Sequence, residues 1–234
     1  MKRRLKILYI KSKNSEYWPT YILYFPIVFI WLYHSLKLRS LLYFTTVNPS
    51  INTGGFVGES KIDILKQLPR RFYPETIFVQ EGTEIPQIIR KLEKNHLQFP
   101  LVLKPNVGDR GYKVAICNSD EELKAYFKAN NFDTLIQEYI DYDKEYSLFF
   151  YLDPITNKGT ISSLCEKVSL TIVGNGQDTV AKLMEQKDRA FIQLERLMKE
   201  NSELMNYTPL KSEKVLLEPI GNHRRGTLFK NVNH

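Results

Sequence analysis

The chain has 234 residues, of which 43% are hydrophobic and 25% are charged, and its formal net charge is +7 at pH 7. This composition is typical of a folded protein that is long enough to bury a core in one large or two small domains. Six cations lie in residues 2–13, which contain no acidic residue, so the rest of the chain is close to neutral. A broad basic face is not indicated, and we expect no nucleic-acid partner.

Residues 17–44 are rich in aromatic side chains and include both tryptophans, Trp18 and Trp31. The stretch 21–33 carries no charge, but Pro26 interrupts it, and it is shorter than the roughly 20 apolar residues of a transmembrane helix. Three interpretations stay open: a helix buried against the folded domain, a helix at a membrane interface, and a true span.

The cations of residues 2–13 favour the membrane interface, because anionic lipid attracts each Lys or Arg by about 1 kcal/mol. We therefore expect a basic, aromatic and helical N-terminal segment over residues 1–55. Peripheral membrane contact through residues 1–44 is one of its open roles.

Residues 56–98 are predicted to form a helix–strand lead-in to the main domain. A helix over 59–68 precedes a short strand over 76–79, and a second helix begins at Thr83 or Glu84. Its apolar positions follow an i, i+3, i+4, i+7 spacing and are Ile85, Ile88, Ile89 and Leu92.

A short apolar run over 101–103 predicts a strand that ends at Lys104, and a polar loop with two glycines follows it. Glycine lets backbone N–H groups approach an anion closely. The glycines and cations of this loop are Gly108, Arg110, Gly111 and Lys113. The loop suits a polyphosphate, and an ordinary hairpin with a basic tip is the alternative.

Two carboxylates bracket a predicted bend at 141–144. Glu138 lies within a strand-like run over 134–140, and Glu145 follows seven residues later. Such a pair can serve one nucleoside, since one carboxylate can accept hydrogen bonds near the adenine amino edge and the other from the ribose hydroxyls.

The next predicted elements cover the core. Ser119 begins a capping-box pattern with Glu122, and Leu123 and Phe127 form the buried stripe behind it. Strands over 160–165 and 168–173 are predicted to begin one sheet. A single helix over 186–206 is expected to cover that sheet with an apolar stripe of Phe191, Leu194, Met198 and Met205.

The order of these features resembles the ATP-grasp family of ligases over about residues 99–226. The resemblance implies an α+β (α/β) fold in which two α+β subdomains grip a nucleotide, with the ATP-grasp domain over 99–234. It implies that ATP is bound by Lys104, Gly108, Gly111, Lys113, Gln137, Glu138, Tyr139, Ile140 and Glu145. Lys61 is a further candidate for nucleotide contact, and a solvated surface lysine is the alternative.

Two later segments are similar to elements of particular ATP-grasp ligases. Residues 166–183 resemble the V-x-G-D-G-x-x-T-x-x-x-L element of cyanophycin synthetase and related glutamate-type ligases, with Asn175 in place of the usual Asp. Residues 221–227 resemble the N-x-x-x-G loop that such enzymes place near the transferred phosphate. This similarity implies that Asn222 contacts the nucleotide. Ligases of the D-alanine–D-alanine type belong to the same group of relatives.

The resemblance implies an enzyme that activates a small carboxylate with ATP as an acyl phosphate and joins it to an amine substrate. Arg110 or Arg225 would then stabilise the transition state electrostatically. Relatives bind Mg²⁺ through a late Asp strand and a Glu-x-Asn pattern, which does not follow residues 221–227 here. We therefore expect no metal ligands within this chain, magnesium ligands beyond its end, and a C-terminally shortened domain.

Two other functions stay open: a truncated or degenerate nucleotide-binding protein without catalysis, and a scaffold attached to a membrane surface. Cys117 and Cys165 lack metal or redox spacing and are expected to be free thiols in a reducing compartment. We expect a cytoplasmic protein, peripheral to the inner face of the membrane if residues 1–44 bind lipid.

Overall fold

The computed structural model describes residues 2–109 and 111–233. The chain forms two compact units: the first contains Met1–Phe25 and Tyr142–His234, and the second contains Pro26–Asp141. This division differs from the domain boundaries expected at residues 55 and 98, which stay a prediction.

Helices and antiparallel strands together give an α+β arrangement. The helices are α1 (Lys2–Lys13), α2 (Thr20–Leu38), α3 (Lys61–Lys66), α4 (Ile85–Lys94), α5 (Asp120–Ala129), α6 (Val180–Met184), α7 (Asp188–Glu200) and α8 (Ser202–Asn206). The strands are β1 (Thr76–Val79), β2 (Leu101–Pro105), β3 (Ala115–Cys117), β4 (Thr134–Glu138), β5 (Glu145–Leu152), β6 (Gly159–Val168), β7 (Leu170–Val173), β8 (Lys214–Glu218) and β9 (Leu228–Asn231).

The second unit is built on an antiparallel sheet with the order β1-β4-β2-β3. Successive side chains of a strand point to opposite faces, so Leu101 and Leu103 of β2 enter the core while Lys104 lies on the other face. The predicted apolar stripe of α4 supplies Ile88 and Leu92 to the same core. The local sequence pattern therefore places Lys104 on the face opposite the α4 core.

The helix α5 begins where the capping box predicts. The Ser119 Oγ accepts a hydrogen bond from the Glu122 N–H at 3.3 Å, and the Glu122 carboxylate accepts one from the Asn118 N–H at 2.8 Å. Leu123 is fully buried, but Tyr126 is the more buried aromatic residue, since Phe127 is only partly buried.

The first unit contains an antiparallel sheet with the order β5-β6-β9 and a separate two-stranded sheet of β7 and β8. The prediction that β6 and β7 begin one sheet is wrong, because each strand pairs with a different partner after the break at Ser169. The core of the unit lies between the β7–β8 sheet and α6, α7 and α8, and Ile7 and Ile10 of α1 also pack into it.

The predicted single helix over 186–206 is two helices. The Asn201 side chain accepts a hydrogen bond from the Leu204 N–H at 3.0 Å and so begins α8. Phe191, Leu194 and Met205 are buried as predicted, whereas Met198 is 50% exposed. Met198 lies within α7 but faces outward, and the preceding residue, Leu197, is the one buried in this turn.

The aromatic helix α2 is not buried by the described part of the chain. Ser35 is its buried residue and Trp31 is partly buried, while its other large apolar side chains are exposed. The interpretation of residues 17–44 as a helix buried against the folded domain is therefore wrong. By length and composition alone, α2 is the one described helix that could cross a membrane.

Candidate functional site

The first group of site residues lies on β2 and β4 of the second unit. Lys104 Nζ donates to Gln137 Oε1 at 2.7 Å, and Gln137 Nε2 donates to Thr76 Oγ1 at 2.7 Å on β1. Antiparallel pairing sets Gln137 opposite both Val102 and Thr76, so Lys104 reaches it diagonally across one face of the sheet. This relay of hydrogen bonds fixes the direction of the ammonium group.

Lys61 lies on α3 and contacts the backbone that leads into the glycine loop. Its Nζ donates to the carbonyls of Pro105, Asn106 and Gly108 at 3.1, 3.3 and 2.6 Å. The predicted lysine is therefore brought to the glycine loop, and it holds the loop by its main chain rather than extending freely into solvent.

Asn106 is a site residue that no sequence motif indicates. It is 6% exposed, its Oδ1 accepts from the Ile62 N–H at 3.0 Å, and its carbonyl accepts from the Lys61 N–H at 3.1 Å. Its Nδ2 donates to Ser60 Oγ at 3.1 Å. The Asn106 side chain thus connects the start of α3 to the end of β2, and only this long-range pairing reveals its role.

Both lysines of this group carry depressed pKa values. Burial lowers the pKa of Lys104, and the nearby charge of Lys61 lowers it further. Burial also lowers the pKa of Lys61, although the charges of Glu59 and Asp109 oppose the shift. Two partly desolvated ammonium groups close to each other form a site that an anion would stabilise.

The glycine loop begins after Asn106. Gly108 has a φ of +143° and Gly111 a φ of +71°, which are backbone conformations that residues other than glycine rarely adopt. Lys113 also has a positive φ of +54°, and its carbonyl accepts a hydrogen bond from the Tyr126 hydroxyl at 2.8 Å. Arg110, predicted to act in catalysis, lies outside the described residues.

The residues expected to hold the nucleoside follow at the end of β4. Gln137 is 9% exposed, while Glu138 is exposed and its carboxylate accepts from the Glu75 N–H at 3.3 Å. Tyr139 is partly buried and Ile140 is 44% exposed. This end of the strand therefore offers a surface of mixed polarity next to the Lys104 face of the same unit.

Glu145 belongs to the first unit, at the start of β5. It forms a cross-strand ion pair with Lys167 of β6, its partner in the register. A Cβ at Gly221 would lie 2.7 Å from Glu145 Oε2, so the end of the Glu145 side chain lies directly against the backbone of Gly221. Glu145 is thus held beside the loop 221–227, and its partner Lys167 is a neighbour that no sequence motif indicates.

The loop 221–227 is ordered by Asn222. Its Oδ1 accepts from the Arg224 N–H at 2.8 Å, and its N–H donates to Thr227 Oγ1 at 2.8 Å. The residue therefore shapes the turn in addition to any contact with a ligand.

Arg225 is paired with a buried carboxylate. Its Nη1 donates to Glu218 Oε1 at 3.2 Å, and Arg196 Nη2 donates to Glu218 Oε2 at 2.8 Å. Glu218 is 3% exposed, so two guanidinium groups compensate one desolvated charge. Among the described residues, no group of three or more His, Cys, Asp and Glu side chains is arranged to hold a metal ion.

Part of the chain is similar to a known protein family. Residues 72–148 match the family model of the RimK-like ATP-grasp domain. This segment contains β1 to β4, the glycine loop, Lys104 and both predicted nucleoside carboxylates. The identification of an ATP-grasp domain of α+β class is therefore confirmed for this segment. No curated protein matches the chain.

Solved structures also match, at low identity. They include a bifunctional glutathione synthetase from Pasteurella multocida, at 17% identity and a TM-score of 0.33 over 73% of this chain and 25% of that chain. A carboxyaminoimidazole ribonucleotide synthase from Aspergillus clavatus, complexed with ATP, matches at 12% identity and a TM-score of 0.40 over 58% and 37%. The VanG D-Ala:D-Ser ligase from Enterococcus faecalis matches at 14% identity and a TM-score of 0.34 over 64% and 49%.

The chain spans only a quarter to a half of the length of these solved proteins. The ATP-grasp assignment rests on the sequence match over residues 72–148.

Proposed function

We propose, from the ATP-grasp domain in residues 72–148, that the chain binds ATP and acts as a carboxylate–amine ligase. The observation that carries the proposal is the Lys104–Gln137–Thr76 relay beside the glycine loop. The depressed pKa of Lys104 supports it, because a phosphate anion would relieve both the desolvation of the ammonium group and its repulsion from Lys61.

The remaining predicted residues take roles in the same reaction. Backbone N–H groups of Gly108 and Gly111 would approach the phosphates, with Lys113 close by in the chain. Gln137, Glu138, Tyr139 and Ile140 would hold the nucleoside, as would Glu145. Asn222 and Arg225 would face the transferred phosphoryl group.

The proposed reaction has two steps. An oxygen of the carboxylate substrate attacks the γ-phosphorus of ATP, the bond to the bridging oxygen breaks, and ADP leaves. The amine nitrogen then attacks the acyl carbon, inorganic phosphate leaves, and the nitrogen loses a proton to give an amide. Positive charge near the transferring group would stabilise both steps. Mg²⁺ would be held by oxygen ligands that the described residues do not group together.

Calorimetric titration with ATP tests the binding step. We expect Lys104→Ala to weaken ATP binding by about tenfold or more, since a hydrogen bond to a charged group contributes about 1.5–3 kcal/mol. Lys128→Ala is the matched control, because Lys128 is exposed in the last turn of α5. Equal ATP affinity of the two variants would contradict the proposal that Lys104 binds the phosphates of ATP.

A nucleotide-binding protein without ligase activity is the second candidate. The observation that favours it is the pairing of Arg225 with Glu218, since this contact holds on a buried carboxylate the guanidinium that catalysis would use. Release of ADP by the purified chain, with a panel of amino acids as carboxylates and amines, separates the two functions. ATP binding without ADP release in any mixture would favour the second candidate.

A further inference from the structure

The middle of α2 is apolar around its whole circumference. Ile27, Val28, Phe29 and Ile30 are consecutive and are 47%, 45%, 60% and 56% exposed. Successive helical residues are rotated by about 100°, so these four positions point in all directions around the axis. A helix that is hydrophobic on every side is typical of a buried or membrane environment, and the described residues do not bury this one.

We propose that α2 inserts into one leaflet of an anionic lipid bilayer and that both of its ends remain on the same side. The charges of the residues around the helix are complementary to anionic lipid. Residues 17–58 contain no acidic side chain, and their charged side chains are Lys37 and Arg39. Lys11 and Lys13, before the helix, are exposed. Cations at both ends of an apolar helix are attracted to anionic headgroups.

The aromatic residues of α2 also fit an interface. Tyr21, Tyr24 and Tyr33 are 75%, 56% and 62% exposed and lie towards the two ends of the helix. Tyrosine prefers the headgroup level, where its ring is in an apolar layer and its hydroxyl remains hydrated. The apolar surface continues after the helix, since Leu41 and Leu42 are 63% and 64% exposed.

The packing of α1 argues against a single crossing. Ile10 is 3% exposed in the core of the first unit, and Lys6 Nζ donates to the Glu185 carbonyl at 3.0 Å. Just after α1, Arg189 Nη2 donates to the Glu16 carboxylate at 2.6 Å. The chain immediately before α2 is therefore part of the same folded unit as residues 142–233.

A helix that crossed the bilayer once would carry residues 39–141 to the opposite side. The chain would then have to cross again before Tyr142 in order to complete the first unit. Within residues 2–109 and 111–233, α2 is the one helix long and apolar enough for a crossing. Both ends of α2 therefore stay on one face of the membrane.

Co-flotation of the full chain with vesicles tests the attachment. We expect binding to phosphatidylcholine vesicles that contain about 30% phosphatidylglycerol, and weaker binding to pure phosphatidylcholine or at about 0.5 M salt. Ile27→Glu combined with Ile30→Glu should reduce the partition coefficient about a hundredfold or more. The matched control is Met198→Glu combined with Ile155→Glu, at positions 50% and 92% exposed outside α2. Equal binding of both double variants would overturn the proposal.

Thiol labelling tests the orientation. In a Cys165→Ser background, Ser12→Cys, Val28→Cys or Ser40→Cys places a thiol before, within or after α2. Cys117 is buried, and burial raises the pKa of its thiol to about 11, so it contributes little background reaction. The chain is synthesised beside sealed vesicles and treated with a maleimide that does not cross membranes. We expect labelling at positions 12 and 40 and protection at position 28.

Three results would contradict this orientation. Protection at position 40 until the vesicles are lysed would indicate a spanning helix. Labelling at position 28 on vesicles would show that α2 does not insert. Protection at position 28 in the absence of lipid would show that protein, such as a second copy of the chain, covers the helix.

Discussion

Asn106 lies in a loop, yet its side chain holds two elements of the second unit together. Its amide connects Ser60 and Ile62 at the start of α3 with the end of β2, and Lys61 bonds the same segment by its ammonium group. Every nucleotide contact proposed for the glycine loop depends on this anchor. The residue therefore acts through position, since it fixes the backbone that would meet the phosphates.

Replacement of Asn106 by Ala tests that role. The change leaves the Ile62 N–H and the Ser60 hydroxyl without their side-chain partner in a largely buried place, so we expect a loss of about 2 kcal/mol in the free energy of unfolding. Asn131→Ala is the control, because Asn131 is exposed and bonds the Glu81 carboxylate alone. Urea unfolding measures both, and equal midpoints would show that Asn106 does not anchor the loop.

His223 offers a second test at the residue scale. Its ring stacks on Phe229 with centroids 3.9 Å apart. Burial lowers the pKa of His223 below 6.5, Glu16 opposes the shift, and Arg189 adds to it. As the pH falls below 6.5, the imidazole of His223 becomes protonated in the unfolded chain at a higher pH than in the folded chain. The contribution of His223 to stability is therefore present above pH 6.5 and is lost as the pH falls through the window down to the depressed value.

Proton NMR titration of His223 in two variants checks the direction of each contribution. Glu16→Gln should lower the titration midpoint further, because it removes a nearby negative charge. Arg189→Gln should raise the midpoint, since it removes a positive charge. Shifts in the same direction would show that a change in the loop, rather than charge, controls the titration.

At the scale of elements, α7 shows that helical spacing in the sequence does not by itself determine which side chains are buried. Leu194 and Met198 are one turn apart, yet they are 4% and 50% exposed. We expect Leu194→Ala to cost about 3 kcal/mol in the free energy of unfolding and Met198→Ala to cost less than about 0.5 kcal/mol. Chemical denaturation compares the two variants directly. A similar cost for both would mean that Met198 is covered in solution.

The elements with local signals were predicted well from the sequence. The strand β1, the stripe of α4 and the capping box of α5 each depend on residues within a few positions of one another. The separate pairing of β6 and β7 could not be predicted, because it depends on β9 and β8, which lie far along the chain.

The candidate site shows the same limit. Sequence identified Lys104, Lys61 and the two nucleoside carboxylates as residue types suited to ATP. It did not identify Asn106, Gln137 as the direct partner of Lys104, or Glu218 as the partner of Arg225. These contacts join positions that only the folded chain brings together, and no spacing rule connects them.

At the scale of the whole molecule, two separate hydrophobic cores organise the chain. One contains Met184 of the first unit and the other contains Leu123 of the second, and both residues are fully buried. Each unit has a hydrophobic core of its own, and each unit can therefore unfold in a separate transition, because cooperative unfolding depends on shared buried contacts. The proposed phosphate contacts at Lys104 and the glycine loop belong to the second unit.

Scanning calorimetry should therefore resolve two unfolding transitions. Met184→Ala should lower the midpoint of one and Leu123→Ala the midpoint of the other, since each creates a cavity in a different core.

ATP should raise the midpoint of the transition that Leu123→Ala lowers, because a ligand stabilises the state that binds it. At a hundredfold excess over Kd the stabilisation free energy should be about 2.7 kcal/mol. This increase should disappear in Lys104→Ala and persist in Lys128→Ala. A single transition that both core variants lower equally would show one cooperative domain, whereas an ATP effect confined to the transition sensitive to Met184→Ala would place the nucleotide on the first unit.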